Sequence, residues 1–317
     1  MTTAALPVHE QPPFWRIVRR ILPIVSMTVL IIFALLQILP FVFTVANSFK
    51  CLPAIAAEPQ AFIPVPPFGV SCVSPEGRVL PADATTGTVT FNPSTEGYQE
   101  VFAANLGRWA FNTAVYSVVI MLLRLAFDSL AGYALARLKF PGNRLIFFVI
   151  LGTLMIPSVV LLIPRFIILR QLGWLNTYQG VIITLAADAF GIFLMKQFFE
   201  SIPDEIEEAA QVDGANRFVM FFRIVLPMAT PALTALAIFS FQGQWNNFMD
   251  ALIIVGGNPS LYNLPLGLAT LRGASGETLR WHQFLAGSVI TTLPLAIIFF
   301  IFQRYFVEGV TYSGLKG

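Results

Sequence analysis

Six long apolar stretches set the limits on what this chain can fold into: 21–46, 111–136, 145–169, 181–199, 229–255 and 284–306. A hydrocarbon layer roughly 30 Å thick is crossed by about 20 residues of helix rising about 1.5 Å each, so every stretch is long enough to be a membrane span. Inside lipid each backbone N–H and C=O must find a partner within the protein, which makes helices the spanning element for segments of this length. Composition closes off the alternative of soluble domains. Of 317 residues, 56% are hydrophobic and 11% charged, whereas a soluble domain carries about a quarter charged. We therefore expect an all-α membrane protein with six transmembrane helices.

Lys and Arg in short loops orient such a chain. With the amino terminus inside, the inside segments carry Arg16, Arg19, Arg20, Arg137, Lys139, Arg144, Lys196, Arg217, Arg223, Arg304 and Lys316, eleven against seven outside. Both termini are then expected to be cytosolic. The first stretch follows a basic segment and precedes Ala54-Ile55-Ala56, as a signal peptide would. Its run of about 25 apolar residues exceeds the cleavable length of about 7–15, so we expect it to be retained. The loop at 47–110 holds eight of the 22 prolines and no helical period, which predicts an irregular extracytoplasmic cap. Cys51 and Cys72 both fall in it; in an oxidising compartment they either form a disulfide or remain two thiols, and spacing does not choose.

Between the fourth and fifth stretches, Glu200, Asp204, Glu205, Glu207, Glu208 and Asp213 place six of the 17 acidic residues within 14 positions. Pro203 followed by acids suits a helix start, where the macrodipole favours negative charge. Ile206, Ala209, Ala210 and Asp213 recur at i, i+3, i+4 and i+7, one face of a short helix. Gly214 can adopt the positive φ that ends it. A second helix is expected over 216–226, with Pro227 and Pro231 where the chain returns to the membrane. A solvated acidic loop would need no small-residue face; Ala209 and Ala210 would let a backbone approach a docking groove.

Glu208-Ala209-Ala210, three residues, Gly214, nine residues, Ile224, one residue and Leu226-Pro227 resemble the EAA loop pattern of the membrane subunits of binding-protein-dependent ABC importers. Asn112-Thr113, the run Leu130-Ala-Gly-Tyr-Ala-Leu-Ala-Arg-Leu-Lys-Phe-Pro-Gly142, and Gln244-Trp-Asn-Asn-Phe248 resemble the carbohydrate-uptake, maltose-permease branch. The resemblance covers about 15–55 and 105–317. It implies a type I importer permease fold laid out as a cytosolic tail (1–20), a first helix (21–46), the Pro-rich loop (47–110), a permease core (111–306) with the EAA loop at 201–227, and a cytosolic tail (307–317). It also implies partners: a second homologous permease, two ABC ATPases that bind ATP and Mg, an extracytoplasmic solute-binding protein, and bacterial or archaeal inner-membrane lipid. Glu208, Ala209, Ala210 and Gly214 would sit in the ATPase cleft with Asp213 beside them. The segment 256–283 matches in position the loop that reaches the docked binding protein.

Ionisable groups within spans are functional candidates by default. Arg124 and Asp128, at i and i+4, read as a mutually neutralised pair, while Asp188 has no neighbour in sequence. Gln242, Gln244, Trp245, Asn246 and Asn247 crowd the fifth stretch, giving either a sugar pathway, with hydrogen bonds for hydroxyls and a ring for C–H faces, or interhelical glue. No lysine follows the glycine of a P-loop, and neither His9 nor His282 sits in a metal or nucleophile motif, so no catalytic residue, metal site or cofactor of this chain's own is expected. A lone His282 reads as a surface residue. Scattered basic residues argue against nucleic acid. Glycerol-phosphate or another polyol derivative is the alternative cargo, and an ion-coupled carrier using Arg124, Asp128 and Asp188 is the rival mechanism.

Overall fold

The computed structural model describes residues 13–51, 55, 69–70, 89–90, 94–271 and 280–314. Residues 1–12 and 315–317, most of the Pro-rich loop with Cys72, and 272–279 lie outside the described residues. The chain falls into two compact units, Met1–Thr95 and Glu96–Gly317.

The first unit is built on helix α1 (Pro13–Ser48), whose apolar side chains from Ile21 to Val42 are exposed, as a lipid-facing helix requires. Two two-residue strands, β1 (Gly69–Val70) and β2 (Val89–Thr90), pair antiparallel with Gly69 opposite Thr90. Cys51 is buried and disulfide-bonded.

The described residues of the second unit form helices joined by turns and short extended segments. It begins with α2 (Glu96–Ala103) and α3 (Leu106–Arg137), so the end of the expected 47–110 loop is helical from Glu96. Packing accounts for this: Val101, Leu106 and Trp109 bury in one cluster with Trp245 and Leu264, and burial of an apolar face stabilises short helices that propensity alone would not. There follow α4 (Asn143–Leu154), a single 3-10 turn (Ser158–Leu161) leading into α5 (Leu162–Gln171), α6 (Tyr178–Thr184) and α7 (Ala189–Ser201). Next come α8 (Asp204–Val212), α9 (Arg217–Met228) and α10 (Thr230–Trp245). The unit ends with α11 (Met249–Val255), α12 (Leu264–Thr270) and α13 (Trp281–Gly314).

Among the described residues, four helical segments are long and apolar enough to cross a membrane: 21–48, 106–137, 178–201, which is interrupted between α6 and α7, and 281–303. Two further spans are bent. The expected 145–169 helix turns by 97° between α4 and the segment from Ser158, next to Pro157, and α9 meets α10 at 78°. Counting each bent pair once gives six. The fifth span is thus 217–245 rather than 229–255: it bends at Ala229, between Pro227 and Pro231, and stops at Asn246. Pro231 has no N–H for the Pro227 carbonyl, and the Thr230 hydroxyl takes over, donating to it at 2.6 Å.

Close approach joins α3 to α7. A methyl on Gly132 would lie 2.8 Å from the Met195 Cβ, and one on Gly191 would strike the Asp128 carboxylate, the role small residues play where membrane helices pack. Beyond this contact Tyr133, Phe199 and Phe221 form an aromatic cluster, with Tyr133 and Phe221 centroids 4.9 Å apart, and α8 lies over it.

Candidate functional site

The acids Asp204, Glu205 and Glu207 occupy the first turn of α8, where the dipole favours them. The helix stops in a Schellman turn: Gly214 has φ 84°, its N–H reaches Gln211 O at 3.0 Å, and Ala215 N–H reaches Ala210 O at 2.9 Å. Asn216 then caps α9, its side-chain oxygen accepting from Val219 N–H at 2.9 Å.

The face expected to dock divides in two. Ile206 and Ala210 turn inward onto the aromatic cluster, Ala210 being only 7% exposed. This corrects the small-residue docking face: one helix turn cannot both cover a core and meet a partner with the same atoms. Glu208, Ala209, Asp213 and Gly214 are exposed, and with them Val212 at 89% and Phe218 at 74%. Ile224 and Leu226 are half-buried against the same core, and Pro227 shapes the bend at Ala229. The EAA residues therefore separate into a protruding surface and the packing that supports it.

Sequence spacing did not reveal the residue that binds this helix to the rest. Arg137, the last residue of α3, donates to Phe199 O at 2.6 Å and to Ile202 O, pairs with Asp204, and lies 3.2 Å from Glu207. Glu207 also meets Arg217 at 3.4 Å. The acids follow Arg137 by 67 and 70 positions, so no local periodicity connects them. Beside them an open cleft of about 650 Å³ is lined by Arg137, Lys139, Phe140, Asp204, Glu207 and Glu208, among others.

The polar crowd at the end of α10 is mostly bonded to itself. Trp245 is 6% exposed; its ring stacks on Phe241 at 5.4 Å and its N–H donates to Thr291 O at 3.0 Å. Gln244 is buried too and accepts from Asn247, which also donates to Asp250. Asp250 pairs with Arg165 of α5, and Asn263 donates to Asn247 O. Trp245 is therefore helix packing in this conformation, because its N–H already has a partner and its ring is covered, and Gln244 is buried beside it with its amide oxygen bonded to Asn247. Gln242 and Asn246 remain exposed, and Asn246 opens onto a cavity of about 380 Å³ with Ser288, Thr291 and Thr292.

Arg124 and Asp128 do not simply neutralise each other. Arg124 donates to Leu185 O at 2.9 Å and lies 3.8 Å from Asp188, while Asp128 accepts from Asp188 N–H at 3.0 Å. Both serve the backbone break between α6 and α7, which would otherwise leave polar groups unpartnered in lipid. At the other end of α3, Asn112 donates to Ser260 O and Tyr262 O, Thr113 accepts from Leu264 N–H, and Tyr116 donates to Leu261 O. The 256–271 part of the expected binding-protein loop is thus anchored to α3.

His282 is 1% exposed, which corrects its reading as a surface residue: from the first turn of α13 it packs against α2, 2.8 Å from the Glu100 carboxylate, which also accepts from Gln283. Burial pushes the Glu100 pKa up, but the bonds from Gln283 and His282 and the charges of His282 and Arg280 hold it below its usual 4.5. Glu96, Glu100 and His282 bring ligand atoms within 4.8 Å of one another, and the hydrogen bonds to Glu100 already explain the position of His282.

Comparisons with known proteins give this helical architecture a family. Residues 128–312 fit the family described as "Binding-protein-dependent transport system inner membrane component". The chain belongs to this family. Among similar inner membrane components is the arabinooligosaccharides transport system permease protein AraQ of Halalkalibacterium halodurans, 38% identical over 235 residues, covering 73% of this chain and 83% of that one. The trehalose/maltose transport system permease protein MalG of Thermococcus litoralis is 32% identical over 234 residues, covering 72% and 84%. A bacterial ABC transporter involved in the import of the acidic polysaccharide alginate contains a chain that superposes with a TM-score of 0.72 at 25% identity, covering 95% of this chain and all of that one. The type I importer permease fold expected from the EAA loop is therefore the fold of this inner membrane component.

Proposed function

We propose that this transport component is the permease subunit of an ATP-driven, binding-protein-dependent importer of disaccharides or oligosaccharides. The supporting observation is the EAA loop presented as a protruding helix on a family-typical bundle, together with relatives named for oligosaccharide and trehalose/maltose transport. The chain pairs with a second, homologous permease and two ABC ATPases, and a solute-binding protein docks on the extracytoplasmic side. It sits in the bacterial or archaeal inner membrane with both termini cytosolic. ATP and Mg bind to the ATPases, and this chain contributes motion rather than chemistry. Glu208, Ala209, Val212, Asp213 and Gly214 engage the ATPase cleft, and closure of the ATPases displaces α8 and switches the spans between inward and outward access. Gln242 and Asn246, exposed beside α13, are the pathway residues of this subunit.

Co-expression with the neighbouring transporter genes and mild-detergent purification tests the assignment. A complex of two permeases and two ATPases, whose hydrolysis rises with one sugar-loaded binding protein, is the expected result. Stimulation by a polyol phosphate alone would move the cargo to that class, and a chain that purifies alone without ATPase would overturn the importer.

A further inference from the structure

The coupling helix α8 is connected to its neighbours by two short non-helical joints. Ile202 and Pro203 are extended, with ψ 130° and 139°, and the other joint is the turn at Gly214. Single bonds of this kind permit rotation, so the covalent chain by itself is a poor rod for transmitting a push. The Arg137 guanidinium bridges the first joint. It reaches the last turn of α7 through Phe199 O, the joint through Ile202 O, and the first turn of α8 through Asp204 and Glu207. Its side chain is 8% exposed and that of Glu207 7%, so the pair is shielded from water and competes little with solvent. A planar fork of five donors serves three acceptors in these directions, Phe199 O, Ile202 O and Asp204, and holds its charge 3.2 Å from Glu207; a lysine ammonium is a point charge with three donors.

The anchor of this fork is rigid. Arg137 ends α3, and α3 is held against α7 where Gly132 meets Met195 and Lys196 N. The other route out of α8 is looser, since Arg217 is 52% exposed where it meets Glu207, and α9 meets α10 at a 78° bend.

We infer that Arg137 is a positioning residue that locks the coupling helix to the α3–α7 pair, so that displacement of α8 is delivered to those two spans instead of being lost as rotation at Ile202–Pro203 and Gly214. This rests on the reading of α8 as the coupling helix. The same lock predicts that α3, α7 and α8 move as one body while α10 pivots at Ala229.

The test uses the assembled transporter carrying Arg137→Lys or, as a milder change at a surface acid, Asp204→Asn. Two quantities are read: amide hydrogen exchange at 203–212 against 189–199, and solute imported per ATP hydrolysed. Arg137→Lys is expected to raise exchange at 203–212 and to lower import per ATP, each by about tenfold, a usual size for coupling between sites, while 189–199 stays protected and the ATPases remain bound. Asp204→Asn should fall between that variant and the wild type. Unchanged exchange at 203–212 in Arg137→Lys overturns the lock. So does exchange rising through both α3 and α7 with loss of assembly, because Arg137 would then hold the fold rather than the lever. A wild-type complex with no ATP-dependent uptake defeats the coupling reading itself; exchange alone then decides the lock, which stands if 203–212 loosens selectively and falls if it does not.

Discussion

The segment around Arg137 and the segment around Arg165 draw on the same residue types and use them in opposite ways. At Arg137 a side chain from another helix takes up the buried Glu207, the exposed Asp204 and the carbonyls of Phe199 and Ile202. The outer face of α8, with Glu208, Ala209 and Val212, is thereby left exposed. At Arg165 the polar residues of α10 and α11 satisfy one another through Asn247, Gln244 and Asp250, and the aromatic residue among them is covered. Polar density in an apolar chain therefore does not by itself mark a site. What distinguishes the two is where unused surface remains once the hydrogen bonds are assigned, since a buried polar group must be partnered wherever it sits.

The largest expected effect breaks the first region. Gly214→Pro replaces a residue at φ 84° with one fixed near −65° and removes the N–H that bonds Gln211 O at 3.0 Å. The turn cannot persist, at a local cost of about 3 kcal/mol or more, and the docking face turns away. Uptake into vesicles should be abolished and ATP hydrolysis should stop responding to loaded binding protein, with membrane insertion intact. Glu208→Lys, which leaves the backbone alone, should act in the same direction through charge. Wild-type coupling in both variants would remove α8 from the coupling role.

How far the sequence reaches can be judged on these same elements. Apolar runs locate the spans because lipid imposes one length on all of them, and the start and stop of α8 are visible because Pro203 and Gly214 act locally. The start of the fifth span was misplaced because Arg217 and Arg223 mark 217–228 as a cytosolic helix, so Pro227 and Pro231 looked like a boundary rather than a corner. Arg137, Arg165 and His282 escaped for another reason: their partners lie 62 to 182 positions away in sequence, and only the packed fold brings them together. The face of α8 was misassigned because periodicity identifies a face without saying which side it meets.

The next effect separates packing from pathway in the second region. Trp245→Ala empties a buried site between α10 and α13 and should lower the melting temperature of the detergent-solubilised complex, as expected for a loss of about 3 kcal/mol. The KM for uptake by the surviving complex should stay within about twofold, since truncating a packing residue removes no solute contact. A KM raised severalfold at unchanged melting temperature would show the indole touching solute, and the contrast between the two regions would collapse.

A smaller loss is expected from opening the Arg165–Asp250 pair. Its side chains are 21% and 19% exposed, between the surface pairs that contribute about 0–1 kcal/mol and the buried ones whose breakage costs about 3–5. Asp250→Asn or Arg165→Gln should each destabilise by about 1–2 kcal/mol, and the double variant by less than the sum. Additive losses in a double-mutant cycle would mean that Asp250 is held by Asn247 alone.

The smallest effect concerns the contact between α2 and α13, and its sign follows from Glu100. Burial raises the carboxyl pKa, but the Gln283 and His282 hydrogen bonds, with the charges of His282 and Arg280, bring it below 4.5 overall. A group whose folded pKa is depressed binds fewer protons when folded, so its contribution is complete above its unfolded pKa and disappears as pH falls through the folded one. The Glu100 contribution to attachment of α2 should therefore weaken progressively as pH falls below 4.5, read as amide exchange at 96–103 or as the fluorescence of Trp281 beside His282. Glu100→Gln keeps the shape and one acceptor but cannot ionise, so its profile should lose the acid limb. If the limb survives in Glu100→Gln, the acid sensitivity of this contact comes from another group, and the carboxylate is a packing residue like Trp245 rather than a charge partner like those of Arg137.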